Sequence, residues 1–408
     1  MEKTCSGDGA VLEVVSAIGP STSRSGLTLS KIRLALDVLP LAGDRTGVGR
    51  FCAGLAGALV GRDDLELRGY AIARRARTAT AAQAGAVGLE VRTLGVPTRL
   101  ANAIWARAER PPIEWLVGPV DVVHGTNYVV PPARHAGRVV TVHDLTALRY
   151  PEMCVPASLA YPGLVARAVK HGAFVHVPSS FVRGEVIELL QVDPGRVRVV
   201  PHGLDDAPSP VAVPLASARE PRSRPAPYVL ALGAVEPRKD LPTLVKAFSE
   251  LAAEHRDLEL VVAGPDGWGT PAFDAAVASS GVGARVVRLG YLDEARRRSL
   301  LSEASVLAYP SLYEGFGFPP LEAMAVGVPV VATRAGAVPE VVGDAAELVV
   351  PGDASALAAG LARVIDDAEL RAKLVDAGRL RAARFTWASS AASMMELYEL
   401  ASRDRQAR

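Results

Sequence analysis

The chain carries two series of short, predominantly apolar runs, most of them closed by glycine, proline or a charged residue. Ile32–Leu39, Leu67–Ala73, Val120–His124, Val139–His143, Phe174–Pro178 and Val197–Pro201 make up the first. Tyr228–Leu232, Leu258–Ala263, Val286–Leu289, Ser305–Tyr309, Pro329–Ala332 and Glu347–Val350 make up the second. Runs this short, without polar alternation, predict strands buried on both faces. Helix-like stretches separate them: Phe51–Val60, Leu100–Arg110 and Ser180–Leu190, then Leu241–His255, Ala272–Ser280, Glu294–Ala304, Pro320–Ala325, Ala354–Ile365 and Glu369–Phe385, with a last helix over Trp387–Ala401. Pro242 fits a first helical turn, where its missing N–H costs little. Asp293 and Asp353 fit N-caps. Strands alternating with helices predict βαβ units and parallel sheets.

Between the two series, residues 206–227 are rich in Pro, Ser and Ala and follow no period, as expected of a linker. With 408 residues the chain exceeds what one core holds. The division is therefore a loose tail over 1–30 (with an edge strand at 11–16 as the alternative), a first α/β domain over 31–205, the linker, a second α/β domain over 228–385, and a C-terminal helix over 386–408. Ligands of such sheets sit beyond the carboxyl ends of the strands, so the default site is the cleft between the halves.

Composition narrows the function classes. Lys and Arg number 45 against 44 Asp and Glu, so net charge alone supplies no attraction to nucleic acid. The three cysteines, Cys5, Cys52 and Cys154, form neither a disulfide framework nor a zinc motif and fit a cytoplasmic location. No apolar run reaches the roughly 18 residues of a membrane span. Arg74, Arg75, Arg77, Arg92, Arg99, Arg107 and Arg110 read as a solvated face, with peripheral contact at the inner membrane face as the alternative.

The chemistry gathers at strand ends. In Ser311–Thr333, Glu314 is followed by Gly315 and Gly317, then Pro319–Pro320 and Glu322, which the pattern puts in the first turn of a helix. Glycines let backbone approach a ligand, and a helix N-terminus offers unpaired N–H groups to an anion. At the first turn of the second half, Gly233 ends a strand and Arg238 and Lys239 stand just before a helix, suited to a charged leaving group.

The run Glu314–Ala332 (EGFGFPPLEAMAVGVPVVA) resembles the C-terminal signature of the retaining nucleotide-sugar glycosyltransferases of group 1, family 4. The resemblance extends from about Lys31 to Tyr398. It implies the GT-B architecture, two Rossmann-like doubly wound parallel-sheet domains facing across a cleft, with the C-terminal helix over 386–408 returning to the first. It implies that Glu314 contacts the transferred sugar, that Glu322 binds the nucleotide ribose, and that backbone N–H groups of Gly315, Phe316, Gly317 and Phe318 face sugar and diphosphate. Gly233, Arg238 and Lys239 resemble the family's clamp on the departing diphosphate. Leu289, Gly290 and Tyr291 would hold the base. The turn Thr46–Arg50 is similar to a glycine-rich loop near the donor phosphates, with Thr46 in place of its first glycine and Gly47 and Gly49 retained. His143, beside Asp144, is similar to a histidine near the sugar. VVPHGLD at Val199–Asp205 resembles the segment leaving the first domain, with His202 where Asn is usual. The turn GPDGWG at Gly264–Gly269 resembles that of enzymes using GDP-mannose, and packing is the alternative role for Trp268.

The resemblance implies transfer of a hexose, with mannose favoured, from a nucleoside diphosphate sugar to a hydroxyl of a glycan, a lipid-linked or a small-molecule acceptor in polysaccharide biosynthesis. No cofactor and no essential metal are expected, because Arg238 and Lys239 supply the charge a metal often supplies. The rivals are a nucleotide-sugar epimerase of the same fold and a catalytically silent partner of another transferase.

Overall fold

The apolar runs pair side by side, and every named strand pair is parallel. The computed structural model describes residues 31–43, 47–205 and 227–407. The predicted tail, residues 206–226 of the predicted linker, Cys5 and Thr46 lie outside the described residues. The first sheet contains β1 (Ile32–Asp37), β2 (Leu65–Ile72), β3 (Val91–Leu94), β4 (Val122–Gly125), β5 (Gly137–Thr141), β6 (Phe174–Val177) and β7 (Val197–Val199). The second contains β8 (Tyr228–Leu232), β9 (Glu259–Ala263), β10 (Val286–Gly290), β11 (Val306–Tyr309), β12 (Val330–Thr333) and β13 (Glu347–Val349). Their orders are β3-β2-β1-β4-β5-β6-β7 and β10-β9-β8-β11-β12-β13. Both are doubly wound, with the order reversing between β1 and β4 and between β8 and β11. At those points two neighbouring strands send their loops to opposite sides and leave a crevice.

The central strands are buried throughout, as a sheet covered on both faces requires. β3 is different: its four residues alternate between half-buried and exposed at the sheet edge, so it leaves no apolar run to read. The helices Arg77–Ala86, Tyr161–Lys170 and Val338–Val342 are likewise additions to the sequence reading. The helix expected over Leu100–Arg110 spans Thr98–Trp105, and the one expected from Phe51 begins at Gly47 and runs to Leu59. Asp293 and Asp353 cap their helices, accepting from the N–H of Arg296 and Ala356 at 2.8 and 2.9 Å.

One apolar cluster runs through both domains and two others fill the outer faces of the two sheets. The helix Trp387–Gln406 carries the shared cluster back to the first sheet. Its Tyr398 is fully buried and its hydroxyl lies 2.8 Å from His124 Nδ1. Its Asp404 pairs with Arg196 at 2.9 Å. The chain leaves the first domain where it later returns: Leu204 donates to the Phe385 carbonyl at 2.9 Å, and Trp387 Nε1 donates to Asp205 at 3.0 Å.

Candidate active site

A cavity of about 620 Å³ lies between the two crevices, lined from both domains. In the second domain its wall is built by the loops after β8 and β11, the strands flanking the reversal. The β8 loop turns through Pro237–Lys239 and enters the helix Leu241–Glu254 at Asp240, whose φ of 46° is left-handed. It is tied to the β11 loop twice: Leu312 donates to the Arg238 carbonyl at 2.8 Å, and Arg238 Nη1 donates to the Tyr313 carbonyl at 2.9 Å.

These ties bring three charged side chains together. Arg238 Nη1 lies 2.6 Å from Glu314 Oε2, and Lys239 Nζ lies 2.6 Å from Oε1. Lys239 also reaches the Tyr309 hydroxyl at 3.2 Å. All three are largely buried. Burial pushes the Glu314 carboxyl up, but the charges of Arg238 and Lys239 outweigh it and hold it at about 2. Burial pulls the Lys239 ammonium below the ordinary lysine range, with Glu314 opposing and Arg238 assisting. Burial also disfavours the Arg238 charge, but Glu314, Asp144 and Glu236 outweigh it and raise its pKa. Oε2 of Glu314 is buried and accepts no aligned hydrogen bond, so it keeps acceptor capacity for a ligand hydroxyl.

The cavity floor is the loop from Gly315 into the helix Phe318–Ala325, whose N-cap is Gly317. A Cβ at Gly315 would overlap the His143 carbonyl oxygen, so only glycine lets the two domains approach here. Phe316 and Phe318 line the cavity, but their rings pack on His202, at centroid distances of 4.9 and 5.3 Å. Glu322 corrects the sequence reading in one respect. The helix starts two residues earlier than expected, so Glu322 stands in its second turn. Its carboxylate is occupied: Arg297 reaches it at 2.7 and 3.1 Å, and Arg50 of the first domain pairs with its Oε1. Arg50 also pairs with Glu294 at 2.6 Å. Burial and the neighbouring Arg297 pull the Arg50 pKa down to about 10. Burial raises that of Glu294, but Arg297 and Arg50 outweigh it and hold it at about 2.

The other expected residues divide. Gly47 and Gly233 line the cavity, as does Tyr291, which is 51% exposed. Gly49 does not. Because the helix already begins at Gly47, Gly49 is turned into the core. Gly290 does not line it either: it ends β10, and its carbonyl accepts the Gly264 N–H at 2.8 Å, fixing the turn before Tyr291. His143 lines it, just past β5. Its Nε2 lies 2.9 Å from the Thr126 carbonyl, and burial lowers its pKa, so the ring is neutral near pH 7. Asp144 lines it too, its carboxylate accepting from Thr146 N and Oγ1 at 3.1 and 2.9 Å.

His202 was legible only as part of an exit segment, yet it is buried in the cavity wall with Nδ1 unpartnered. Arg50, Glu294 and Arg297 form a pairing that no local motif announces. Trp268 does not line this cavity at all. The seven arginines of the basic run are exposed and line neither this cavity nor the smaller one beside it. Among the described residues no helix is long and apolar enough to cross a membrane, and no three His, Cys, Asp or Glu are grouped to hold a metal ion.

Comparison with known proteins gives the same picture in both halves. Residues 216–381 match the family described as "Glycosyl transferases group 1", and residues 45–207 match "Glycosyltransferase Family 4". The chain is 29% identical over 283 residues to the "O-antigen chain mannosyltransferase B" of Escherichia coli, covering 68% of this chain and 74% of that protein. It is 37% identical over 230 residues to the "MMP alpha-(1->4)-mannosyltransferase" of Mycolicibacterium hassiacum, covering 55% and 53%. Among solved structures, sucrose-phosphate synthase from Thermosynechococcus elongatus superposes with a TM-score of 0.71 at 20% identity, over 91% of this chain and 99% of that one. The Anabaena protein HepE in complex with UDP-glucose does so with 0.67 at 17% identity, over 90% and 99%.

Proposed function

The chain belongs to the group-1 glycosyltransferases, and from that premise we propose that it transfers a hexose from a nucleoside diphosphate sugar to an acceptor hydroxyl with retained anomeric configuration. The observation that carries this reading is the triad of Arg238, Lys239 and Glu314 in the cleft wall, with both cations within 2.6 Å of the carboxylate. Two cations on one turn suit a diphosphate, and the Glu314 carboxylate, whose Oε2 accepts no aligned hydrogen bond, suits a sugar hydroxyl. Mannose is the favoured sugar, since both relatives named above are mannosyltransferases.

In the proposed reaction the acceptor oxygen bonds to C1 on the face from which the diphosphate leaves. The C1–O bond to phosphate breaks, and the acceptor proton passes to the departing phosphate oxygen. Arg238 and Lys239 stabilise the charge that develops there, an interaction stronger in the transition state than in the ground state. Double displacement needs two carboxylates flanking the reacting bond, and with Glu322 assigned to the ribose only Glu314 stands near the sugar, so a covalent glycosyl-enzyme is not implied. On this reading Glu322 binds the ribose diol in exchange for its pairing with Arg50, which lines the same cavity.

Incubation with GDP-mannose or UDP-glucose and an acceptor, followed by NMR of the product anomer, tests the reading. Retention is the expected result. Inversion overturns it, and release of free epimerised sugar identifies an epimerase instead. Exhaustive chelation is expected to leave the rate unchanged, and a rate restored only by added divalent metal would contradict the role of the two cations.

A further inference from the structure

A second cavity, of about 320 Å³, adjoins the first and shares Val48, Asp144, Glu236 and Arg238 with it as a common wall. Its other side is aromatic. Tyr128 and Tyr161 stack with centroids 4.9 Å apart and planes 5° from parallel. Trp268, from the second domain, reaches across the cleft to donate Nε1–H to the Met153 carbonyl at 3.2 Å, and it remains 45% exposed. A held yet exposed indole offers a flat, electron-rich face, which suits the CH face of a pyranose ring.

The charges exclude one ligand class. Among the described residues lining this cavity, Arg238 is the one cation, and on the donor reading it serves the diphosphate in the first cavity, so no cation is left for a second phosphate on the acceptor. Asp144 and Glu236 add two carboxylates to the wall. A phosphate here would meet net negative charge, whereas hydroxyl groups would find acceptors.

We propose that this cavity is the acceptor subsite and that it takes an uncharged sugar residue, the end of an oligosaccharide or polysaccharide, rather than a phosphorylated polyol or a phospholipid headgroup. The proposal rests on the reading of the first cavity as the donor site. The common wall then sets the acceptor hydroxyl against C1 of the donor. Its oxygen bonds to C1 as the C1–O bond to the diphosphate breaks, and its proton goes to the phosphate.

The test offers GDP-mannose and UDP-glucose with neutral acceptors (methyl α-mannoside, mannobiose, maltose) in one arm. The other arm offers inositol 1-phosphate or phosphatidylinositol in phosphatidylcholine vesicles. Neutral sugars are expected to be glycosylated and the phosphorylated acceptors not. Trp268→Ala and Tyr161→Ala are expected to raise the acceptor KM by about tenfold while leaving donor KM and acceptor-free donor hydrolysis unchanged, and Trp268→Phe to recover part of the loss. Preferential transfer to either phosphorylated acceptor overturns the proposal. So does an unchanged acceptor KM in both alanine variants, or donor hydrolysis with no transfer to any neutral sugar. If the wild-type protein neither binds nor hydrolyses either donor, it is the donor-site reading that fails.

Discussion

Glu314→Ala would remove both the charge and the bulk that separate the buried cations Arg238 and Lys239, leaving neither an acceptor nor a filled space between them, and so would confuse catalysis with folding. Glu314→Gln keeps the shape. We expect it to lower kcat at least about a hundredfold while the circular dichroism spectrum stays native; near-normal turnover would remove Glu314 from the site. Replacing Arg238 and Lys239 together by Ala is expected to lower kcat strongly, and an effect confined to acceptor KM would contradict the leaving-group role. The pH dependence has a definite sign. The Glu314 carboxyl is depressed to about 2, so its contribution to stability is present above the ordinary carboxylate range and is lost as pH falls through about 2. Lys239 is depressed too, so between its folded and unfolded values the unfolded chain binds the extra proton and stability rises with pH. Activity needs the charged ammonium, and its alkaline limb should therefore begin below the ordinary lysine value of about 10.4. Lys239→Arg should move that limb upward in a kcat/KM profile; an unmoved limb would assign it to another group.

At the scale of elements, the helix Trp387–Gln406 belongs to the core of the first domain although it ends the chain. Tyr398 is buried against β4 and β5, and its hydroxyl meets His124. Tyr398→Ala should destabilise by about 3–5 kcal/mol in urea unfolding. Tyr398→Phe should cost about 1–3 kcal/mol, because it strands His124 Nδ1 without filling the loss. A Tyr398→Phe variant as stable as the wild type would mean that the hydroxyl contact carries nothing. Most elements are legible from their apolar runs, since a strand covered on both faces has nowhere to put a polar side chain. β3 and the helix Arg77–Ala86 are not, because they lie at an edge and bury little.

At the scale of the molecule, the cleft is closed by contacts between domains. Ser179 donates to the Gly315 carbonyl at 2.8 Å. Glu340 accepts from the N–H groups of Ser180 and Phe181 at 2.8 and 3.0 Å, capping a helix of the other domain. Gly315 leaves no room for a side chain against the His143 carbonyl of the other domain. Gly315→Ala should wedge the domains apart at His143, reducing kcat well over tenfold while nucleotide affinity changes little. Loss of nucleotide binding instead would mean that the substitution damaged the second domain itself. A bound nucleoside diphosphate at about a hundred times its Kd should stabilise the protein by about 2.7 kcal/mol, visible as a rise in Tm.

The sequence by itself determined the class of the molecule: two doubly wound α/β halves, with chemistry at the ends of their strands. Burial on both faces forces unbroken apolar runs, and ligand approach forces glycines, so both leave local marks. Arg238, Lys239 and Glu314 are legible for the same reason, since each stands in a short stretch whose pattern is its own. Tertiary structure alone decided that Arg50 pairs with Glu322, that His202 lies in the cavity wall, and that Trp268 leaves the nucleotide turn to face a second cavity. These contacts join residues far apart in the chain. Their energies depend on distances of a few ångströms between side chains, which the spacing of residues along a sequence does not encode.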